Sequence, residues 1–281
     1  MNVKKYLLTA AMIGSAVLTT SQSALAQEDK NKTWNKIMKS GEIVVGVKSD
    51  TKPWGYLNEK GELIGMEVDL AQEIADTMGV KLKLVGVQSS NRMQFLEQGK
   101  IDLMIATMSD RDDRRKIVGV ALPNYYSSGT NLMSPKALGF KNWNDLEGKT
   151  VCGKQGAFYN KIVEDRYNAK VVAYSGNAEA KQALRNRKCV GWVYDDSVIA
   201  ADLASGKFGE FEMPLKTEDD NPWAMAVPIA EKDLIYGRFI SGMQYNWHRT
   251  GRLVELEKKW GITPTAYLAI QKDRFKDWLN K

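Results

Sequence analysis

The residues from Ser109 to Arg114 have the side chains needed to bind an anion. Ser109 supplies a hydroxyl group, and Arg114 supplies a planar guanidinium group about one helical turn later. The sequence predicts a buried strand over residues 101–107 and a helix with Asp110 as its N-cap. A helix start leaves backbone N–H groups free, and an arginine beside them can grip a carboxylate with two hydrogen bonds. The stretch therefore predicts a carboxylate site, although a strand followed by a solvated charged helix would have the same pattern.

The N-terminus has the pattern of a secretory signal peptide. Lys4 and Lys5 precede an apolar segment over residues 6–18, and Ala24-Leu25-Ala26 forms an A-x-A cleavage site. The apolar segment is shorter than the roughly 20 residues that span a bilayer. We expect residues 1–26 to be removed and the remaining chain to be exported.

The composition is that of a globular protein with two cysteines. The 281 residues carry a formal net charge of +6, and 43% of them are hydrophobic. Basic and acidic residues are interspersed, so the sequence does not predict a nucleic-acid-binding arm. In an exported chain, Cys152 and Cys189 predict a disulfide, with two buried free thiols as the alternative.

Apolar segments with strand and helix patterns alternate along the chain. Strands are predicted over residues 42–47, 81–87 and 101–107. A second run of alternating elements, including a strand over residues 189–193, extends over residues 149–204. This alternation predicts an α/β fold with largely parallel sheets covered by helices. Extended segments near Tyr125 and Ala224 separate the two runs, which predicts two lobes with a cleft and a hinge.

Short motifs are spread over nearly the whole chain that follows residue 26. They are Gly65-Met66-Glu67-Val68-Asp69-Leu70 with Ile74-Ala75, Gly99-Lys100-Ile101-Asp102, Ala106-Thr107-Met108-Ser109, Arg114, Tyr125-Tyr126, Gln155-Gly156, Tyr194-Asp195 and Lys258-Lys259-Trp260-Gly261. Their order and spacing closely resemble those of the bacterial extracellular solute-binding proteins for polar amino acids, family 3. These proteins are the periplasmic components of ABC importers.

The resemblance implies an architecture and partners. It implies a two-lobed type II periplasmic binding protein fold, in which each lobe is a mainly parallel sheet flanked by helices. Residues 27–125 and 225–281 would form lobe 1, residues 126–224 would form lobe 2, and two hinge strands would join them. The protein would be a periplasmic monomer that binds a free L-amino acid and passes it to an inner-membrane permease. Catalytic residues, cofactors, metals and nucleic acids are not expected.

The resemblance also assigns roles to residues of the cleft. Arg114 would pair with the α-carboxylate of the ligand with support from Ser109, and Asp195 would bind the α-ammonium group. The remaining positions are Ala106 and Thr107 facing the ammonium group, Trp54 over the ligand, and Gly156, Ala157 and Phe158 in the loop of lobe 2 whose backbone meets the carboxylate. Many members have threonines in place of the last two residues, so the hydroxyl contacts of that loop are absent here. From the residues alone, Asp195 could equally be a helix N-cap, and Trp54 could equally fill the core.

Lys48 and Arg92 indicate which side chain the ligand would carry. Lys48 follows the first strand, Arg92 opens a helix, and in the aspartate/glutamate-binding branch basic residues at these places hold the side-chain carboxylate. Two cations beside Arg114 would disfavour a basic ligand. A neutral ligand such as glutamine or cystine, and solvent-facing basic residues, remain alternatives. A cyclohexadienyl dehydratase on the same fold is another, but His248, the only histidine, is predicted in a C-terminal helix away from the cleft.

Overall fold

The computed structural model describes residues 30–277, which form a mixed α/β fold. The predicted signal peptide lies outside these residues. The strands are β1 (Glu42–Lys48), β2 (Asp50–Thr51), β3 (Gly55–Leu57), β4 (Leu63–Ile64), β5 (Lys81–Val87), β6 (Leu103–Ser109), β7 (Gly119–Pro135), β8 (Thr150–Lys154), β9 (Lys170–Tyr174), β10 (Trp192–Asp195), β11 (Phe211–Glu212) and β12 (Glu218–Val227). The helices are α1 (Lys32–Ser40), α2 (Met66–Met78), α3 (Arg92–Glu97), α4 (Asp112–Arg115), α5 (Tyr159–Tyr167), α6 (Asn177–Arg185), α7 (Asp196–Ala204), α8 (Ile235–Thr250), α9 (Arg252–Lys259) and α10 (Ala266–Phe275).

One large sheet connects the two halves of the fold. Its strand order is β5-β1-β6-β12-β7-β10-β8-β9, and β11 pairs with β7. The strands β5, β1 and β6 are parallel, as are β10, β8 and β9. The antiparallel strands β12 and β7 lie between these two groups, and β7 pairs with β12 along its first part and with β10 along its last part. The two halves are therefore joined by backbone pairing, and the predicted lobe boundaries at residues 125 and 225 stay a prediction.

The two parallel groups form where the sequence is apolar enough to be covered on both faces. All seven residues of β6 are buried, as expected for a parallel strand with helices on both sides. Helix α2 buries one apolar stripe and ends at Gly79, whose φ of 68° is left-handed. Gly65, before α2, has a φ of 139°, and a Cβ there would lie 2.2 Å from the Trp54 carbonyl oxygen. Only glycine fits this close approach of helix and loop.

Two local predictions from the sequence are wrong. The N-cap of α4 is Arg111 rather than Asp110, and the Asp110 carboxylate instead accepts hydrogen bonds from Arg115 and Asn124. The strand predicted to begin at Cys189 begins at Trp192. Cys189 lies in the preceding loop, where its sulfur is bonded to the neighbouring strand.

The predicted disulfide is present. It joins Cys152, in the middle of β8, to Cys189, with a Cα–Cα distance of 5.6 Å and a sequence separation of 37 residues. Both residues are buried in the second half of the fold. The bond ties β8 to the segment that leads into β10, which is the next strand in the sheet.

Replacing both cysteines by alanine should lower the free energy of unfolding by up to about 4 kcal/mol, because the bond closes a loop of this length in the unfolded chain. Urea unfolding of the oxidised protein and of the double variant measures the difference. The wild-type protein under reductant serves as the control and should resemble the variant. Two alkylatable thiols in the native, non-reduced protein would contradict the prediction.

Candidate functional site

Arg114 lies in a cleft between the two halves of the fold. It belongs to α4, directly after β6, and only 5% of its surface is exposed. Its Nη1 donates to the Ser109 carbonyl oxygen at 3.1 Å, and its Nη2 donates across the cleft to the Gly156 carbonyl oxygen at 3.3 Å. Burial and the neighbouring Arg92 lower the pKa of Arg114, which stays charged because an arginine does not lose its proton in proteins. In the part of the chain that the structure describes, the hydrogen-bond partners of this buried charge are carbonyl oxygens and include no carboxylate.

Asp195 is a buried carboxylate without a partner. It is the last residue of β10, 5% of its surface is exposed, and its side chain makes no hydrogen bond or ion pair within residues 30–277. It occupies the N-cap position of α7 but does not cap that helix. Burial, and then Asp196, raise the pKa of Asp195 to about 7, although Arg92 and Arg114 oppose this shift. A cation that entered the cleft would restore the ionised carboxylate.

The end of β6 is held in place by Glu67, whose role the sequence did not reveal. Thr107 has a left-handed φ of 44°, and its N–H donates to Glu67 Oε1 at 2.7 Å. The Tyr125 hydroxyl donates to the same carboxylate oxygen at 2.5 Å. Burial raises the pKa of Glu67 to about 7, against the effect of these two hydrogen bonds. The buried carboxyl thus positions the backbone that carries Thr107 and Ser109, both nearly buried at the cleft.

Arg92 points to the same strand end. Its Nη1 donates to the carbonyl oxygens of Ala106 and Thr107, at 3.0 Å for the latter, and its buried Nε has no hydrogen-bond partner among the described residues. Arg92 therefore donates to the carbonyl groups of the two residues that were expected to face a ligand ammonium group. Ala106 has no exposed surface, so it contributes only its backbone. Charge interactions connect Arg92 to Asp195, and burial lowers the pKa of Arg92.

Lys48 is fully buried and is held by Ser89 and Asp50. Lys48 has no exposed surface, and its Nζ donates to Ser89 Oγ at 3.0 Å and pairs with Asp50 Oδ1 at 3.4 Å. The Asp50 carboxylate also pairs with Lys154, which ends β8, and accepts a hydrogen bond from the Asn177 N–H at 3.0 Å. Burial alone would raise the pKa of Asp50, but Lys48 and Lys154 hold it well below its usual range. Lys154 was missed, although it stands at the carboxyl end of a parallel strand, where ligands of such sheets bind.

Trp54 is buried in an aromatic cluster. It has no exposed surface, and its ring packs edge-on against Tyr126 and Trp223, with centroid distances of 5.7 and 5.5 Å. The expectation that Trp54 covers a ligand stays a prediction. The aromatic cluster fixes the loop after β2 to β7 and β12.

The loop after β8 closes against the first half of the fold. Gly156 has a φ of 77°, and a Cβ there would lie 2.6 Å from the Ser89 carbonyl carbon. Ala157 is half-buried, and the Phe158 ring lies 4.8 Å from Arg111 Cζ and 5.9 Å from Arg114 Cζ. These contacts cross the cleft, so the structure has the cleft closed.

Within residues 30–277, no three histidine, cysteine or acidic side chains converge on a point where they could hold a metal ion. In the same range, no helix has both the length and the apolar character needed to cross a bilayer.

Known proteins match this chain over most of its length. The sequence pattern of the bacterial extracellular solute-binding proteins, family 3, matches residues 43–280. The ABC transporter glutamine-binding protein GlnH of Bacillus subtilis is 28% identical, with 85% of this chain and 88% of that protein covered. The glutamate/aspartate import solute-binding protein of Escherichia coli is 26% identical, with 69% and 70% covered.

A solved structure agrees with the fold. A crystal structure of a mutant of ArgBP from T. maritima is similar to this chain with a TM-score of 0.75 and 27% identity, over 81% of this chain and 98% of that one. The predicted type II periplasmic binding protein fold is thereby confirmed. Because the family pattern covers far more than half of the sequence, the chain belongs to the bacterial extracellular solute-binding proteins, family 3.

Proposed function

We propose that this protein is the periplasmic component of an ABC importer and that it captures aspartate or glutamate. The chain is a polar amino acid-binding protein of its family, and the relatives that match it are named as solute-binding proteins, not as enzymes. Those relatives are named for different ligands, so the choice of amino acid rests on the residues of the cleft. A permease of the inner membrane would be the partner, and the protein would act as an exported monomer.

The pairing of Arg114 with Asp195 supports an α-amino acid as the ligand. A zwitterion that enters a closed cleft loses its hydration, which is costly unless each charge meets a fixed partner of opposite sign. Arg114 offers a planar fork for a carboxylate, and Asp195 offers an acceptor for an ammonium group. The two side chains belong to opposite halves of the fold. A bound amino acid would therefore bridge the halves and favour the closed state.

The buried cations around the cleft favour an acidic ligand. Four cationic side chains are at least 95% buried around it, namely Lys48, Arg92, Arg114 and Lys154. Against them stand Asp50, Asp195 and Glu67, and burial raises the pKa of both Asp195 and Glu67 to about 7. Burial also lowers the pKa of Lys48 and Lys154, which reduces the excess of positive charge, whereas Arg92 and Arg114 stay charged. A zwitterion adds no net charge, whereas the second carboxylate of aspartate or glutamate would offset the remaining positive charge.

Glutamine is a second candidate, which Asp50 and Lys154 favour. The Asp50 side chain keeps 17% of its surface exposed beside the Lys154 ammonium group. A carboxylate acceptor next to an ammonium donor suits a primary amide, which has one donor group and one acceptor group. A cyclohexadienyl dehydratase is disfavoured, because the ring of His248 contacts the Asn124 carbonyl oxygen and Phe275.

A thermal-shift screen of the refolded, ligand-free protein against all free L-amino acids tests the proposed function. A ligand at 100 times its dissociation constant should stabilise the protein by about 2.7 kcal/mol. No shift with any amino acid would overturn the proposal. Formation of phenylpyruvate from prephenate would show an enzyme instead.

Replacing Arg114 by alanine should weaken amino-acid binding by roughly 3–5 kcal/mol, because the ligand carboxylate would then be buried without its partner. Calorimetric titration measures the loss. Arg115→Ala is the matched control: Arg115 is the next residue, its side chain is 46% exposed, and it pairs with Asp110 rather than with the cleft. Equal affinities of Arg114→Ala and Arg115→Ala would contradict the assignment.

Aspartate or glutamate should bind at least tenfold more tightly than asparagine or glutamine, a margin of about 1.4 kcal/mol. Arg92→Met should reduce this margin, because it removes a cleft cation while keeping much of the packing. Lys154→Met tests the glutamine alternative. If Asp50 and Lys154 bind the side-chain amide, this change should weaken the binding of glutamine more than that of the other amino acids. Tighter binding of glutamine than of glutamate would defeat the choice of an acidic ligand and leave the family assignment intact.

Binding should weaken as the pH falls, because a proton competes with the ligand ammonium group for Asp195. With the pKa of Asp195 raised to about 7 by burial in the closed cleft, the affinity should be about tenfold lower at pH 6 than at pH 8. Titration calorimetry at pH 6 in buffers of different ionisation enthalpy should detect close to one proton released per ligand bound. Asp195→Asn should abolish this release. Proton uptake by the wild-type protein would contradict the assignment.

A further inference from the structure

The mouth of the cleft is bridged by an aromatic ring and two guanidinium groups. Phe158 follows β8 in the second half of the fold, whereas Arg111 is the N-cap of α4 in the first half. The Arg111 Cζ lies 4.8 Å from the centre of the Phe158 ring, and the Arg114 Cζ lies 5.9 Å from it. A guanidinium group within about 6 Å of a ring centre is attracted by the negative face of the ring. Both arginines are within that distance.

This contact exists only while the cleft is closed. Neither Arg111 nor Phe158 shares a strand pairing with the other half, so separation of the halves would expose both side chains to water. Arg111 also pairs with Asp113 at 3.3 Å, and the side chain of Arg111 is 34% exposed. That pair joins the N-cap of α4 to its first turn, so it would remain when the cleft opens. The ring is thus the partner of Arg111 that opening removes.

We infer that Phe158, stacked on Arg111, is a positioning residue that holds the cleft closed over a bound amino acid and slows its release. The ring also lies against Arg114, whose Nη2 reaches Gly156 two residues before Phe158. Holding the ring in place therefore holds Arg114 toward its ligand. The inference rests on the proposed function, because it needs a bound amino acid whose release can be timed.

The contact acts on release rather than on entry. An open cleft presents Phe158 and Arg111 to solvent before the ligand arrives, so the association rate does not depend on their pairing. Once the cleft has closed, the pairing must break before the ligand leaves, which places its effect in the dissociation rate. A ring that only filled space would be replaced equally well by any apolar side chain of similar volume.

Stopped-flow tryptophan fluorescence at increasing amino-acid concentrations tests the inference, since the slope of the observed rate gives association and the intercept gives dissociation. Phe158→Leu should keep the apolar volume and dissociate about fivefold faster, with association changed less than twofold. Phe158→Tyr, which keeps the ring, should restore the wild-type rate. Arg111→Gln should match Phe158→Leu, and the double variant should dissociate no faster than either single variant. Arg115→Gln is the control and should leave both rates unchanged.

The outcomes separate the two proposals. Wild-type binding with an unchanged dissociation rate in Phe158→Leu and Arg111→Gln would overturn this inference and leave the proposed function standing. A double variant whose effect is the product of the two single effects would overturn it as well, because the residues would then act independently. If the wild-type protein bound no amino acid, both proposals would fail.

Discussion

The closed cleft depends on the cost of burying charge. Within residues 30–277, Asp195 is almost fully buried without a hydrogen-bond partner, and Arg114 donates its hydrogen bonds to carbonyl oxygens. Each charge has lost hydration without gaining a directly bonded partner of opposite charge, which is costly. A molecule that carries a carboxylate and an ammonium group at the right spacing removes both penalties at once. On the proposed function, the closed protein is complementary to its ligand through these two charges.

The other elements keep these two charges opposite each other. Arg114 follows β6 and Asp195 ends β10, so both lie at strand ends, and the strands β12 and β7 separate them in the sheet. Glu67 fixes the end of β6 through the Thr107 backbone, and the disulfide fixes β8 beside β10. Rigid halves let a small change at the ligand become a movement of one half against the other.

The sequence predicted the fold, because the fold depends on local signals and ordered motifs. Alternating apolar segments predicted the α/β architecture, a strand end followed by Arg114 indicated a carboxylate site, and the resemblance to the family indicated Asp195. The Asp50–Lys154 pair was missed, since its members are 104 residues apart and meet only across the closed cleft. The ion pair of Lys48 with Asp50 joins residues only two positions apart, so it could have been recognised from the sequence. A tryptophan after a strand can face either a cleft or the core, and the packing of Trp54 against Tyr126 and Trp223 depends on contacts distant in sequence.

Gly156 sets how far the two halves approach each other. Its Cα lies against the backbone of Ser89 and Ser90, where a side chain of even one carbon atom would overlap main-chain atoms. Neither neighbour is a flexible side chain that could move aside. A methyl group at this position would act as a wedge and stop closure short, with every charged group of the cleft still present. The missing Cβ of Gly156 therefore lets the two halves close completely. A permease that recognised only the fully closed shape would bind a protein with a side chain at this position more weakly.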